Sequence, residues 1–124
     1  MSTRQTGNKF ENQVCQQAEA IGYATFAARG SRGPVDVLAF ESEPFEFDDN
    51  GRMYEMLVPL VIQVGTTNKP IASTLAELDA APRPIGSLCL VARRHRHKTS
   101  RRISWTYHTN AGKFATLAEA LDAR

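Results

Sequence analysis

The chain has few cysteines and no long apolar run, and each shortage excludes a class of protein. Only two cysteines, Cys15 and Cys89, occur among 124 residues, far apart and in apolar surroundings. Such a pair favours buried free thiols in a reducing compartment over a disulfide or a metal knuckle. No apolar run approaches the roughly 18 residues that a membrane span needs, and the first five residues lack the apolar segment of a signal peptide. We therefore expect a soluble, non-exported, cytoplasmic protein.

Sequence signals for several common enzyme classes are also missing. No serine, histidine and acid arrangement stands out, and no phosphate-binding glycine loop of the nucleoside-triphosphatase kind occurs. Internal repeats, low-complexity segments and linkers are absent from the sequence as well. A chain of this length with 42% hydrophobic residues has material for one packed core. Residues 1–124 are therefore predicted to form a single domain.

Residue patterns in the first half predict a helix followed by three strands. Asn8 is a candidate cap for an amphipathic helix that runs to about residue 21 and stops at Gly22. Residues 23–27 and 35–40 are predicted to be antiparallel strands. A turn signal at residues 49–51, Asp-Asn-Gly, indicates a hairpin between the second strand and residues 54–64. Pro59 within that run suggests a bulge or an edge strand.

The second half predicts a helix, two strands and a closing helix. Thr74 and Glu77 form a capping-box pattern for a helix to about residue 81. Residues 87–92 and 103–108 are predicted strands joined by a basic connection, and Trp105 and Tyr107 share one face of the second strand. Thr116 is predicted to cap the last helix. This order of elements is typical of an α/β or α+β domain with a mixed β-sheet flanked by helices.

Asp36 is the first candidate functional residue, because it lies in an apolar strand directly after a glycine-rich loop. A carboxylate between Val35 and Val37 is close to desolvating surface, where an isolated charge is unfavourable unless it is paired or binds a metal. The competing interpretation is an ordinary loop acid that bonds its own backbone. The position inside the strand favours a functional site.

Two further candidates belong with Asp36. Gln63 lies near the end of the apolar run 57–64 and shares a strand face with Gly65. Glu11 falls inside the apolar arc of the first helix, so it faces the core or its border. Both residues have plainer interpretations: Glu11 as the third helical residue of a capping box with Asn8, and Gln63 as a polar strand end.

Taken in order, these segments resemble the core of the PD-(D/E)xK nucleases. The first helix carries Glu11, residues 30–34 (Gly-Ser-Arg-Gly-Pro) precede Asp36, and a later strand ends in Gln63-Val64-Gly65. The nearest likeness is to the archaeal-type and phage Holliday junction resolvases, and it covers roughly the first seventy residues. The resemblance implies a nuclease fold.

It also implies a divalent metal site and a two-fold assembly. The oxygen atoms that would hold Mg²⁺, or Mn²⁺ in its place, come from Glu11, Asp36, Gln63 and the Val64 carbonyl. Two positions depart from the family pattern, because Gln63 replaces the glutamate and Gly65 replaces the lysine that positions or activates the attacking water. Lys69, four residues further on, is the candidate replacement. A homodimer is implied because two symmetric cuts in a four-way junction need two sites related by a two-fold axis.

Basic residues supply the candidate DNA contacts. The glycine-rich loop is either a mobile turn or a phosphate grip made by Arg29, Ser31 and Arg32. A second basic group occupies the connection between the last two strands: Arg93, Arg94, Arg96, Lys98, Arg101 and Arg102. Cations this close repel one another without an anion, which favours phosphate contact over a solvated hairpin tip. The three histidines are given no metal role, because a His-x-His loop without Cys or acid partners is a weak metal signal.

These features lead to one hypothesis and two rivals. The leading hypothesis is a metal-dependent, structure-selective DNA endonuclease similar to Holliday junction resolvases, from a prokaryotic cell or a phage-infected host. The first rival, suggested by Gly65, is a DNA-binding protein with weak or no cleavage on the same scaffold. The second rival is a repair or restriction nuclease that acts on linear duplex or mismatched DNA.

Overall fold

Each of the first two helices is followed by three strands in the computed structural model, which describes residues 3–27, 34–41, 58–65, 69–100 and 102–123, with side chains from Lys9 onward. The helices are α1 (Thr3–Glu19), α2 (Ile71–Ala80) and α3 (Leu117–Asp122). The strands are β1 (Tyr23–Ala27), β2 (Val37–Glu41), β3 (Leu60–Gly65), β4 (Leu88–Arg96), β5 (Ile103–Thr109) and β6 (Gly112–Phe114). The predicted turn at residues 49–51 and the predicted phosphate grip, Arg29, Ser31 and Arg32, lie outside the described residues, as does Arg101.

All six described strands belong to one sheet, in the order β1 to β6. Neighbouring strands are antiparallel except for β3 and β4, which are parallel. Parallel neighbours need a long crossover connection, and α2 provides it. The prediction of an α/β or α+β chain with a mixed sheet flanked by helices is confirmed.

Helices cover both faces of this sheet. On one side, here called the α1 face, Val14 and Ala18 of α1 pack with Leu60, Ile62 and other apolar residues, and α3 adds its own buried side chains to the same cluster. The opposite side of the sheet is here called the α2 face, and α2 packs there against the alternate residues of the same strands. The buried residues of this second cluster are Val61, Leu75, Leu78, Cys89 and Val91. Each fully buried aliphatic side chain contributes about 1.5–3 kcal/mol, so the two clusters hold the sheet between its helices.

Two predicted helix starts are wrong. α1 begins at Thr3 rather than after Asn8, so Asn8 lies within the helix and Glu11 is not part of a capping box. Extending an existing helix adds a hydrogen bond for each residue that is ordered, which outweighs the local preference of asparagine for a cap. α2 begins at Ile71, and Thr74 is a buried helical residue whose Oγ1 donates to the Pro70 carbonyl at 3.0 Å.

Two other predicted helix termini are correct, the C-terminal end of α1 and the N-terminal start of α3. Gly22 follows α1 with φ of 102°, a left-handed conformation that glycine adopts without steric cost. Thr116 caps α3, because its Oγ1 accepts the Glu119 N–H at 3.2 Å, while Glu119 Oε2 accepts the Ala115 N–H at 3.3 Å. Both features depend on residues next to one another in sequence, which explains why the sequence predicts them.

Several strand limits differ from the prediction. β2 begins at Val37, so Asp36 lies just before the strand rather than within it. β3 begins at Leu60, after Pro59, and lies between β2 and β4, so it is not an edge strand. β4 continues to Arg96 as it pairs with β5, and its last four residues are strand instead of a basic connection. Strand β6 was not predicted; it pairs with β5 directly after the turn at residues 110–111.

The cysteines and the helix lengths complete the description. Both cysteines are free: Cys89 is buried and Cys15 is half-buried, as the sequence predicts for unpaired thiols in apolar surroundings. None of the helices in the described ranges combines the length and the apolar character that a membrane span requires.

Candidate functional site

Asp36 bonds to β3 through both its backbone and its side chain. Its N–H donates to the Ile62 carbonyl at 2.9 Å, and its Oδ2 accepts the Val64 N–H at 2.8 Å. Val37, the first residue of β2, is the register partner of Ile62. Asp36 and Val37 therefore both lie opposite the single residue Ile62 of β3. Two residues opposite one is the pattern of a β-bulge, a feature that redirects a side chain. Here it holds the Asp36 carboxylate against the last residues of β3.

The apolar neighbours of Asp36 support the bulge. Val35 and Leu38 both pack against the cluster on the α2 face. In a regular strand, residues three apart point to opposite faces, so the alternation is interrupted between them. The interruption falls at Asp36, which explains how a carboxylate is placed between two apolar residues without entering either core.

Gln63 and Arg93 meet on the α2 face of the sheet. Arg93 Nη1 donates to Gln63 Oε1 at 2.6 Å. Gln63 follows Val61 by two residues on β3, and Arg93 follows Val91 by two residues on β4, so both side chains project from the face that carries Val61 and Val91. The register partner of Arg93 on β3 is Gly65, which has no side chain to occupy the space between them.

Arg93 is buried although it carries a charge. Its side chain is 4% exposed, and among the described residues its Nε and Nη2 atoms have no hydrogen-bond partner. A buried charge with unsatisfied donors is unfavourable unless a nearby anion compensates for it. The hydrogen bond to Gln63 alone does not provide that compensation, which makes the neighbouring carboxylate important.

Asp36 and Arg93 affect each other electrostatically. Burial raises the pKa of Asp36 above its ordinary 3.8, while the Val64 N–H and the charge of Arg93 act in the opposite direction. Burial lowers the pKa of Arg93, and the charge of Asp36 opposes this. Each group therefore favours the ionised form of the other in a place where neither is well solvated. Perturbed titratable groups held together at the end of a strand are typical of functional sites, although structural ion pairs also show them.

Glu11 approaches from the opposite face of the sheet. Its neighbour Phe10 packs edge-on against Trp105 with ring centroids 6.5 Å apart, and the Arg94 guanidinium lies 4.4 Å from the Phe10 centroid. Because Arg94 directly follows Arg93, this part of α1 lies at the same end of the sheet as Asp36 and Gln63. Glu11 itself is half-buried with Oε2 enclosed, as expected for the border of the core. The structure thus brings Asp36, Gln63 and Val64 together and places Glu11 on the other side of the same sheet end.

Lys69 lies in an ion pair rather than in the cluster around Asp36. Its Nζ is 2.9 Å from Glu77 Oε2, and both side chains are close to half exposed. The structure therefore shows a carboxylate partner for Lys69 on α2, and the predicted role as a replacement for the motif lysine remains a prediction.

The basic group divides into buried and exposed members. Arg93 is buried, and Arg94 is half-buried against Phe10, whereas the sequence predicted that both contact phosphate. Pairing of β4 with β5 draws both residues into the sheet, and their long aliphatic stems pack there. Arg96, Lys98 and Arg102 are exposed at the β4–β5 hairpin and remain available for phosphate contact.

The oxygen donors at this site match the chemistry of a hard divalent cation. Asp36 keeps one carboxylate oxygen beyond the bond to Val64, and the Gln63 amide oxygen keeps a second lone pair beyond the bond to Arg93. Together with the Val64 carbonyl they suit Mg²⁺ by donor type. Within the described ranges no three His, Cys, Asp or Glu side chains cluster as metal ligands. With one carboxylate beside a guanidinium, these residues would hold Mg²⁺ weakly.

A row of polar side chains extends from Arg93 across β5. Thr106 is the register partner of Arg93, and its Oγ1 lies 2.7 Å from His95 Nε2 and 2.9 Å from His108 Nε2. Burial lowers the pKa of His108, and the charges of Lys113, Arg93 and His95 lower it further. These effects favour the neutral form of His108, and the row adds hydrogen-bonding groups to the α2 face.

Arg93 is the site residue that sequence reasoning misplaced. The run of basic residues suggested a loop, which assigned Arg93 to the surface. The informative signals were Gly65, which leaves an empty position on β3, and the buried strand that leads directly into Arg93. Connecting them requires the register between β3 and β4, which only the fold provides.

Comparisons with family models, with curated proteins and with solved structures find no match to this chain. The interpretation of the site therefore depends on its own geometry and on the sequence resemblance.

Proposed function

We propose that this chain is a metal-dependent, structure-selective DNA endonuclease, similar to the Holliday junction resolvases among the PD-(D/E)xK nucleases. The observation that carries the proposal is the contact between the chain at Asp36 and the end of β3 at Val64, directly beside Gln63. The resemblance requires these two segments to meet, and they are 28 residues apart in sequence. The first helix followed by three strands also agrees with the order of elements on which the resemblance was based.

Each residue at the site has a defined part in this proposal. Mg²⁺, or Mn²⁺, would be held by oxygen atoms of Asp36, Gln63 and the Val64 carbonyl, while Glu11, on the other face of the same sheet end, would bind the cation only if it lies at the edge of the sheet. When bound, the cation lowers the pKa of a water molecule and offsets the negative charge that develops on the phosphodiester. The Val64 N–H fixes one oxygen of Asp36 and so directs the other.

DNA contacts beyond the site come from basic residues. Arg96, Lys98 and Arg102 are exposed at the hairpin, where they would neutralise phosphates of the flanking duplex. Arg29, Ser31 and Arg32 precede Asp36 in sequence and would bind the phosphate next to the scissile bond. We further propose a homodimer that acts in the cytoplasm on four-way junctions, because paired cuts need two equivalent sites.

A second candidate function is DNA binding with little or no cleavage. The observations that favour it are Gly65 in place of the motif lysine, Lys69 in contact with Glu77, and the Gln63 oxygen in contact with Arg93. Together they weaken the site as a cation ligand set while leaving the exposed basic hairpin intact.

One experiment separates these candidates. The purified chain is incubated with a labelled four-way junction, and with a linear duplex built from the same arm sequences, in Mg²⁺, Mn²⁺ or chelator. Cleavage of the junction that depends on the metal is the expected result. Junction binding without cleavage supports the second candidate, and equal cleavage of both substrates supports a repair or restriction nuclease. A chain that neither binds nor cuts DNA contradicts all three.

A further inference from the structure

Gly65 and Arg93 form a complementary pair across two parallel strands. Each is the register partner of the other, so their Cα atoms are neighbours on adjacent strands. A lysine at position 65 would project from the α2 face, the face shared with Gln63. Arg93 projects from the same face one strand away, and its guanidinium already reaches Gln63 at 2.6 Å. A cation is therefore present at the site, but it comes from β4.

Stability alone does not explain this arrangement. Replacing a buried ion pair by apolar side chains of similar volume is often neutral or stabilising, so a buried charge is weak evidence for a purely structural role. Arg93 is 4% exposed and has two nitrogen atoms without partners among the described residues, so its burial is not fully compensated. The next residue, Arg94, shows the alternative, because its guanidinium stacks over Phe10. A chain selected only for stability would have little reason to keep arginine at position 93.

We propose that Arg93 takes the place of the motif lysine: it reaches the site from the adjacent parallel strand, holds the Gln63 amide in position and brings a cation to the end of β3. This inference rests on the proposed nuclease function and assigns to Arg93 the role for which Lys69 was the sequence-based candidate. Arg93 is a positioning residue in this scheme, since its hydrogen bond is with Gln63. Gly65 leaves the space that the arginine crosses.

The test compares variants that remove the charge of Arg93 or transfer a positive charge to β3. Arg93→Met removes the charge and keeps most of the side-chain volume, and Arg93→Lys keeps the charge on a shorter side chain. The double variant Gly65→Lys, Arg93→Met restores a lysine at the motif position. Arg83→Met is the control, because Arg83 carries the same charge but pairs with Asp79 outside the site. Junction cleavage in Mg²⁺, junction binding in chelator and thermal unfolding are measured for all four.

We expect Arg93→Met to cleave about 100-fold more slowly, a loss typical of removing one preorganised electrostatic group. Its unfolding temperature and its junction binding in chelator should stay near those of the wild type. The double variant should recover much of the lost cleavage, and Arg83→Met should leave cleavage and junction binding unchanged. Folded Arg93→Met that cleaves at the wild-type rate would overturn the proposal. If Arg93→Met does not fold, the double variant Gly65→Lys, Arg93→Met provides the test. Cleavage by the folded double variant supports the proposal, and a folded double variant that does not cleave contradicts it.

A second readout does not depend on cleavage and separates failure of this inference from failure of the proposed function. Labelling of glutamine side-chain amides allows the mobility of the Gln63 amide to be followed by NMR. Arg93→Met should release this amide and raise its mobility, whereas Arg83→Met should leave it unchanged. If the wild type neither binds nor cuts junctions, the nuclease proposal fails, and an unchanged Gln63 amide in Arg93→Met then removes the role of Arg93 as well.

Discussion

The contact between Arg93 and Gln63 gives the most quantitative prediction. Gln63→Leu removes the acceptor at 2.6 Å and leaves the buried guanidinium with no hydrogen-bond partner among the described residues. A hydrogen bond to a charged group is worth about 1.5–3 kcal/mol, and loss of the partner also leaves an uncompensated buried charge. The charge of Asp36 remains and reduces this cost. We expect Gln63→Leu to lower the free energy of unfolding by about 2–3 kcal/mol.

The double variant Gln63→Leu, Arg93→Met should reverse this loss. Without the guanidinium, leucine at position 63 leaves no buried donor unsatisfied, so the double variant should be close to Arg93→Met in stability. The coupling energy between the two positions is then about 2–3 kcal/mol, which is in the range seen for contacting residues. For a chain of this size the change in Gln63→Leu corresponds to a fall of roughly 10 °C in the unfolding midpoint.

Urea unfolding of the wild type, both single variants and the double variant measures the coupling directly. Gln17→Leu is a matched control, since Gln17 is a half-exposed glutamine on α1 away from Arg93. It should change the stability by less than about 0.5 kcal/mol. Additive effects of the two site substitutions, or a Gln63→Leu variant as stable as the wild type, would refute the reasoning about the buried guanidinium.

Three further predictions concern pH, salt and helix capping. Burial holds the pKa of Asp36 above 3.8, so the folded chain binds that proton more tightly than the unfolded chain does, and stability falls as the pH rises through the folded pKa. Asp36→Asn should therefore have a higher free energy of unfolding than the wild type at neutral pH. In urea titrations this difference in free energy should disappear below pH 3.8. A variant that is less stable than the wild type at neutral pH would contradict this. Neutralising Arg96, Lys98 and Arg102 together should reduce the slope of log affinity against log salt by up to about 2.7 in junction-binding assays, whereas an unchanged slope would exclude phosphate contact. Thr116→Ala should cost about 1 kcal/mol in thermal unfolding, because it removes the cap of α3, and no loss would show that the cap is dispensable.

Local sequence signals were sufficient for part of the fold. The strand at residues 23–27, the glycine stop at Gly22 and the cap at Thr116 depend on neighbours in sequence, and all three were predicted correctly. Trp105 and Tyr107 were correctly placed on one face by their spacing. The mixed sheet also followed from the order of the elements.

The errors arise where tertiary pairing decides the outcome. β4 was predicted to end at residue 92, but pairing with β5 extends it to Arg96 in spite of the charged side chains. α2 starts earlier than its capping-box pattern because Thr74 is used as a buried helical residue. No local pattern reports how far a neighbouring strand continues.

The candidate site was predicted in part. The resemblance implied that Asp36 and the end of β3 come together, and Asp36 Oδ2 accepts the Val64 N–H. It did not indicate that Arg93 would be buried beside Gln63, because the register of two parallel strands is set by the crossover helix between them. Glu11 was correctly assigned to the core border, but its position on the opposite face became clear only from the packing of α1.

The most direct test of the proposed site is the comparison of Asp36→Asn with the wild type on one labelled four-way junction. Cleavage in Mg²⁺ and binding in chelator are measured on the same preparations. We expect the variant to lose cleavage and to keep junction binding, because in the proposed function the carboxylate would hold the metal and the basic hairpin would contact the DNA. Undiminished cleavage by Asp36→Asn would contradict the assignment of this carboxylate to the site.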